Sequence, residues 1–130
     1  MSGPSSMRTP LGRVRNLGSS HSGTTDFWRQ RLTAVAMALL IVPVIVIVLM
    51  LIGRNQAGAA QILGSIPIAI ILALFIIASS WHMKIGMQIV IEDYIHNEKL
   101  KLASVMANNF FCIAVALASI YAIIKLSSGV

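Results

Sequence analysis

A histidine near the end of the second of three long apolar stretches has the most chemistry available to it. His82 is followed by Gly86, then by Glu92, Asp93 and Tyr94. The twelve residue steps from His82 to Tyr94 correspond to about 18 Å of helix. If Tyr94 lies at the membrane surface, His82 lies near the middle of the bilayer. A histidine at that depth is costly unless it is paired, so it marks a candidate functional site.

The sequence leaves three roles open for His82. It could hydrogen-bond to a neighbouring helix, relay a proton, or serve as an axial ligand of haem. Gly86 and Asp93 share its helix face, and a glycine one turn away either permits close helix packing or leaves room for a flat macrocycle. His21 precedes the apolar stretches and His96 lies in a charged turn. A haem held by two histidines would therefore have to be shared with another subunit.

The composition identifies the elements that position these residues. Of the 130 residues, 57% are hydrophobic and 11% are charged, and the mean hydropathy is +0.84. No Asp, Glu, Lys or Arg occurs in residues 32–53, 55–83 or 102–124. About 20 apolar residues in a helix cross the hydrocarbon core. The sequence therefore predicts a membrane protein and excludes a soluble enzyme, a disulfide scaffold and a free nucleic-acid-binding protein.

The predicted fold class is an all-α membrane protein with three transmembrane helices, at about residues 30–52, 62–94 and 102–124. These helices form a domain over residues 26–130, preceded by a basic, flexible segment over residues 1–25. Residues 53–61 are expected to form a short polar loop, with Pro67 in the first turns of the second span. Ala114, Ala118 and Ala122 recur every four residues and predict a close-packing face on the third span.

The basic residues predict the orientation. The net charge is +6, but beside membrane spans such residues determine topology more often than they bind polyanions. One side of the predicted membrane carries only Arg54 and Lys125, and the other carries Arg8, Arg13, Arg15, Arg29, Arg31, Lys84, Lys99 and Lys101. The positive-inside rule therefore places the N-terminus in the cytoplasm and the C-terminus in the periplasm.

The residues from His82 to Tyr94 read H-x3-G-x6-D-Y at the end of a second span. With three predicted spans, a basic N-terminus and Asp26-Phe27 before Arg31, the sequence resembles the small hydrophobic membrane anchor subunits of succinate dehydrogenase, respiratory complex II. The alphaproteobacterial form is the most similar. The resemblance covers about residues 8–125, and the motif is local to residues 82–94.

The resemblance implies a role for four residues. His82 falls where the family has the axial ligand of haem b, and the resemblance implies that the iron's other ligand comes from a companion anchor. Arg31 falls where an arginine approaches the haem propionates. Tyr94 falls where a tyrosine hydrogen-bonds a quinone carbonyl, and Asp93 where an acid lines that quinone site. No residue of this chain is expected to oxidise succinate.

The implied complex contains a flavoprotein, an iron–sulfur subunit, a cytochrome b companion anchor packed against this chain, and membrane lipid, but no nucleic acid. Its implied function is succinate:quinone oxidoreduction, with ubiquinone as the expected quinone. The implied location is the bacterial inner membrane, with the mitochondrial inner membrane as the alternative. The competing hypothesis is a cofactor-free three-span interaction or transport subunit in which His82 only hydrogen-bonds a neighbouring helix.

Overall fold

The computed structural model of the chain describes residues 9–15 and 22–129. These residues are mostly helical, and short turns join the helices of residues 22–129. The segment predicted to be flexible, residues 1–25, lies largely outside the described residues, as does His21. The helices in chain order are α1 (Pro10–Val14), α2 (Ser22–Leu51), α3 (Gln56–Gly64), α4 (Ile66–Tyr94) and α5 (Glu98–Ser128).

Three of these helices are long and apolar enough to cross a membrane. They are α2 from Gly23 onward, α4 and α5, with 29, 29 and 31 residues. The all-α fold with three membrane-spanning helices is thus confirmed, and the chain is a multi-pass membrane protein. The helix of the first span, α2, begins at Ser22, earlier than predicted, and continues through Pro43 to Leu51. The helix of the third span, α5, begins at Glu98 and ends at Ser128. Both helices therefore extend beyond the predicted hydrocarbon spans.

The start predicted for the second span, Ile62, is wrong. Ile62 belongs to the short helix α3, and α4 begins only at Ile66, with Pro67 in its first turn. A proline lacks the N–H that would continue a helix, but it is well tolerated in a first turn. Ser65 lies between the two helices in an extended conformation, with its hydroxyl donating to the carbonyl of Ile62 at 2.8 Å. The predicted polar loop is therefore mostly helical.

Helix α4 lies at the centre of the fold. It packs against α2 and α5, whereas these two helices do not contact each other within the described residues. Successive spans are antiparallel, since His82 faces Thr33 while Ile89, later in α4, shares a cavity with the earlier Phe27. The start of α2, the end of α4 and the start of α5 consequently lie on one side of the membrane.

The contact between α4 and α5 involves a different face from the predicted alanine stripe. The Nδ2 of Asn108 donates to the backbone carbonyl of Lys84 at 2.9 Å, and Cys112 is the most buried residue of the described chain, at 2% exposure. The three stripe alanines are exposed. Spacing alone identified a helix face with small side chains, but the face with Asn108 and Cys112 forms the contact.

Candidate functional site

His82 of α4 is half-buried against α2, where both of its ring nitrogens meet polar side chains. Its Nδ1 lies 3.1 Å from the hydroxyl oxygen of Thr33. Its Nε2 lies 3.5 Å from the amide nitrogen of Gln30, which is at the outer limit for a hydrogen bond. The histidine is therefore firmly contacted through one nitrogen and weakly contacted through the other.

Thr33 is itself anchored to its own helix. Its hydroxyl oxygen lies 2.8 Å from the backbone carbonyl of Arg29 and 3.1 Å from that of Gln30. A threonine inside a helix commonly donates to a carbonyl one turn earlier, which saves its hydroxyl from being unpaired in an apolar setting. The group that faces His82 Nδ1 is thus held in place by the backbone of α2.

Gly86 lies one turn from His82, where the chain itself does not require a glycine. A Cβ added at Gly86 would come no closer than 3.5 Å to the side-chain nitrogen of Gln30, an ordinary contact. At Gly64 the same addition would approach the carbonyl oxygen of Leu126 to 2.6 Å. Close helix packing therefore explains Gly64, which the sequence analysis did not single out, but it does not require a glycine at Gly86, where a Cβ would make an ordinary contact with Gln30.

Two grooves flank the His82 contact between α2 and α4. The groove towards Tyr94 has a volume of about 300 Å³ and is lined by both polar and apolar residues, among them Gln30, Arg31 and Glu92. The groove on the other side is apolar, with a volume of about 470 Å³, and Trp81 lines it. Arg31 thus shares its groove with the carboxylates of Asp26 and Glu92, whereas no charged residue lines the apolar groove.

The residues around His82 fit an axial ligand of haem. A neutral imidazole is a common ligand of haem iron, and here the contact at Nε2 is weak. At Gly86, one turn away, no close helix packing requires a glycine. The side-chain oxygen of Gln30, the neighbour of Nε2, is buried without a hydrogen-bond partner.

Arg31 lies on α2, two residues before Thr33, and is exposed. Its guanidinium carbon lies 4.9 Å above the centre of the Phe27 ring. No carboxylate of the described residues forms an ion pair with it; the neighbouring Arg29 is 4.0 Å from Asp26 instead. Arg31 is thus positioned by an aromatic ring and keeps its charge available for an anionic ligand.

Asp93 and Tyr94 lie at the last turn of α4, away from His82. Both are exposed, Tyr94 to 78%, and neither side chain forms a hydrogen bond, ion pair or ring contact with the other described residues. The structure therefore brings His82 close to the helix that carries Arg31 but leaves the Asp93–Tyr94 pair at the membrane surface. Any site that this pair forms requires groups from outside the chain or from a ligand.

Gln30 and Thr33 were missed by the sequence analysis. The available signal was their spacing, because two polar residues three apart at the start of an apolar helix share one face. That face also had to be matched with the depth of His82 on an antiparallel helix, and this register becomes evident only in the folded chain.

Comparison with known proteins agrees with this architecture. Residues 5–116 match the family model described as succinate dehydrogenase/fumarate reductase transmembrane subunit. The chain is 32% identical to the succinate dehydrogenase hydrophobic membrane anchor subunit of Paracoccus denitrificans, over 93% of each chain. No solved structure shows significant similarity.

Two further relatives extend this similarity. The protein of the same name from Rickettsia bellii is 31% identical over 89% of this chain and 93% of the relative. The succinate dehydrogenase membrane anchor subunit of Reclinomonas americana is 31% identical over 65% of this chain and 72% of the relative. With its three apolar spans and a match over most of its length, the chain belongs to the family of succinate dehydrogenase/fumarate reductase transmembrane subunits.

Proposed function

We propose that this chain is the small membrane anchor subunit of succinate:quinone oxidoreductase. The observation that carries the proposal is the intramembrane His82, with a weakly contacted Nε2, in a chain of this family. The chain would hold a flavoprotein and an iron–sulfur subunit on the membrane together with a cytochrome b companion anchor. It would share haem b with that companion and form part of the quinone site.

His82 and Arg31 are the residues that would hold haem b. His82 would supply a neutral imidazole as axial ligand, and Arg31 would pair with the propionates. Haem b, when bound, supplies a one-electron carrier inside the membrane. Nε2 of His82 faces Gln30, which lines the same groove as Arg31, so the haem would approach His82 from this side.

Tyr94 and Asp93 would act at the quinone, with ubiquinone as the expected substrate. Reduction of a quinone to a quinol consumes two electrons and two protons. The phenolic O–H of Tyr94 would donate a hydrogen bond to a quinone carbonyl oxygen as negative charge develops there. The surface position of both residues at the end of α4 gives them access to protons from water. Asp93 would line the same site as an ionisable group.

Succinate oxidation itself would take place on the partner subunits. The sequence contains one cysteine, too few for an iron–sulfur cluster, and no glycine-rich dinucleotide motif. This chain would therefore contribute quinone chemistry and attachment to the membrane rather than a succinate site.

The function is tested by purifying the complex from native membranes through a tag on this chain. We expect the flavoprotein, the iron–sulfur subunit and a second anchor to co-purify, with succinate-dependent quinone reduction and a b-type haem band in the reduced-minus-oxidised spectrum. Co-purification without any haem band would favour the cofactor-free alternative. In that alternative, the only role of His82 is to contact α2. Absence of the succinate-oxidising subunits would contradict the proposal.

The proposed orientation places the start of α2 and the end of α4 at the cytoplasmic face of a bacterial inner membrane. Most of the basic residues belong to this side, and the C-terminus would be periplasmic. A reporter that is active only in the periplasm should be active when fused after residue 130 and inactive when fused in the turn at Asn97. The reverse pattern would contradict the orientation and place Tyr94 on the wrong side for the iron–sulfur subunit.

A further inference from the structure

The hydroxyl of Thr33 has one proton and two lone pairs to distribute. Two of its three neighbours, the carbonyls of Arg29 and Gln30, can only accept a hydrogen bond. Donation of this proton to the carbonyl of Arg29 satisfies the shortest contact, at 2.8 Å, and leaves a lone pair for the ring of His82, 3.1 Å away. In this arrangement the hydroxyl accepts from the ring and Nδ1 carries the proton. Donation to Nδ1 would instead leave both carbonyl contacts without a hydrogen.

The contact at the other ring nitrogen agrees with this assignment. A neutral imidazole protonated at Nδ1 has its free lone pair on Nε2. The group facing Nε2 is the amide nitrogen of Gln30, a donor, at 3.5 Å. At that distance the contact contributes little, so the lone pair of Nε2 is nearly free. Both contacts thus agree with the Nδ1–H tautomer, in which Nε2 is the nitrogen that can bind a metal.

We propose that Thr33 is a positioning residue for the axial ligand: it accepts the Nδ1–H of His82 and thereby fixes the ring orientation and the tautomer that presents Nε2. This inference rests on the proposed function, in which His82 ligates haem b. Metal-bound histidines usually donate their second N–H in this way, and the hydrogen bond increases the basicity of the ligand. A more basic ligand stabilises ferric over ferrous iron, so the Thr33 hydroxyl lowers the midpoint potential of the haem.

The experiment compares Thr33→Val with Thr33→Ser in the purified complex. Valine keeps the branched shape but removes the acceptor, and serine keeps the hydroxyl. We expect Thr33→Val to raise the haem midpoint potential, to change the low-spin electron paramagnetic resonance signal of the oxidised haem, and to weaken haem retention by about 10- to 100-fold. Thr33→Ser should restore all three. None of these readouts depends on turnover.

Ser79→Ala is the matched control. The Ser79 hydroxyl donates to the carbonyl of Ile76 at 3.1 Å, a bond of the same kind on the helix of His82, three residues away, and makes no contact with the ring. Its loss should leave the haem potential and the resonance signal unchanged. An equal shift in Ser79→Ala and Thr33→Val would show that any hydroxyl in this region affects the haem, and would overturn the role of Thr33.

The remaining outcomes separate the two proposals. An unchanged potential and signal in Thr33→Val, in a complex whose haem still depends on His82, would overturn the role of Thr33 and leave haem ligation intact. Haem loss that Thr33→Ser fails to restore would assign Thr33 to packing instead. If the wild-type complex binds no haem, both the inference and the haem assignment fail together.

Discussion

Replacing His82 by alanine is expected to abolish or shift the b-type haem absorbance of the purified complex while the subunits still assemble. Alanine offers no lone pair to iron, and no other histidine of the described residues lies within a membrane-spanning segment. Assembly should survive because α4 is packed through buried apolar residues, including Ile85 and Ile91, whereas His82 makes only two polar side-chain contacts with the other described residues. The measurement is the reduced-minus-oxidised difference spectrum, normalised to the flavin content of the same preparation.

The matched control is His96→Ala. His96 lies in the turn between α4 and α5 and is exposed, so its loss should leave the haem band at full height. An unchanged haem spectrum in His82→Ala, together with intact assembly, would remove His82 from the ligand set. Loss of the band in both variants would indicate general damage to the complex, and comparison of subunit content would reveal it.

The membrane fold could be predicted well from the sequence because its cause is local. A helix that crosses hydrocarbon must satisfy its own backbone and carry few charges, so uninterrupted apolar runs suffice to locate it. The boundaries were less predictable, as the region around Pro67 shows. Residues 55–83 form one uncharged run, yet the chain interrupts it at Ser65, where the serine hydroxyl satisfies a carbonyl and the proline starts a new helix.

The candidate site was only partly predictable, for a physical reason. His82 could be recognised because an intramembrane imidazole is costly wherever it lies. Its contacts with Thr33 and Gln30 depend on how far α2 is displaced along α4, and side-chain periodicity within one helix carries no information on that register. The same limit applied to α5, where the predicted packing face at Ala118 is exposed and Cys112 is buried instead.

The contacts made within this chain do not indicate the roles of Arg31, Asp93 and Tyr94. All three are exposed and form no ion pair with the other described residues. Their surroundings in the proposed complex would come from partner subunits and ligands, while His82 is held by the chain's own helix. The structure thus determines the orientation of the proposed haem ligand from within the chain and leaves the proposed quinone residues at its surface.

Tyr94→Phe is expected to lower quinone reduction about tenfold while electron transfer to an artificial soluble acceptor continues. Phenylalanine keeps the ring and removes only the hydroxyl that would donate to the quinone oxygen. A hydrogen bond to a charged group contributes about 1.5–3 kcal/mol. Tyr94 lies at the last turn of α4, where the membrane surface is expected, so a partly hydrated site and the lower end of that range are expected, which corresponds to about a tenfold change in rate.

Tyr121→Phe is the matched control, because Tyr121 is the second of two tyrosines in the chain. It lies on α5 towards the opposite end of the fold and is exposed to a similar degree, 67%. Both activities should be measured on one preparation of each variant. A loss confined to quinone reduction, and to Tyr94→Phe, places the hydroxyl at the quinone. Equal loss of both activities would instead reflect failed assembly, and full quinone reduction in Tyr94→Phe would exclude this hydroxyl from the site.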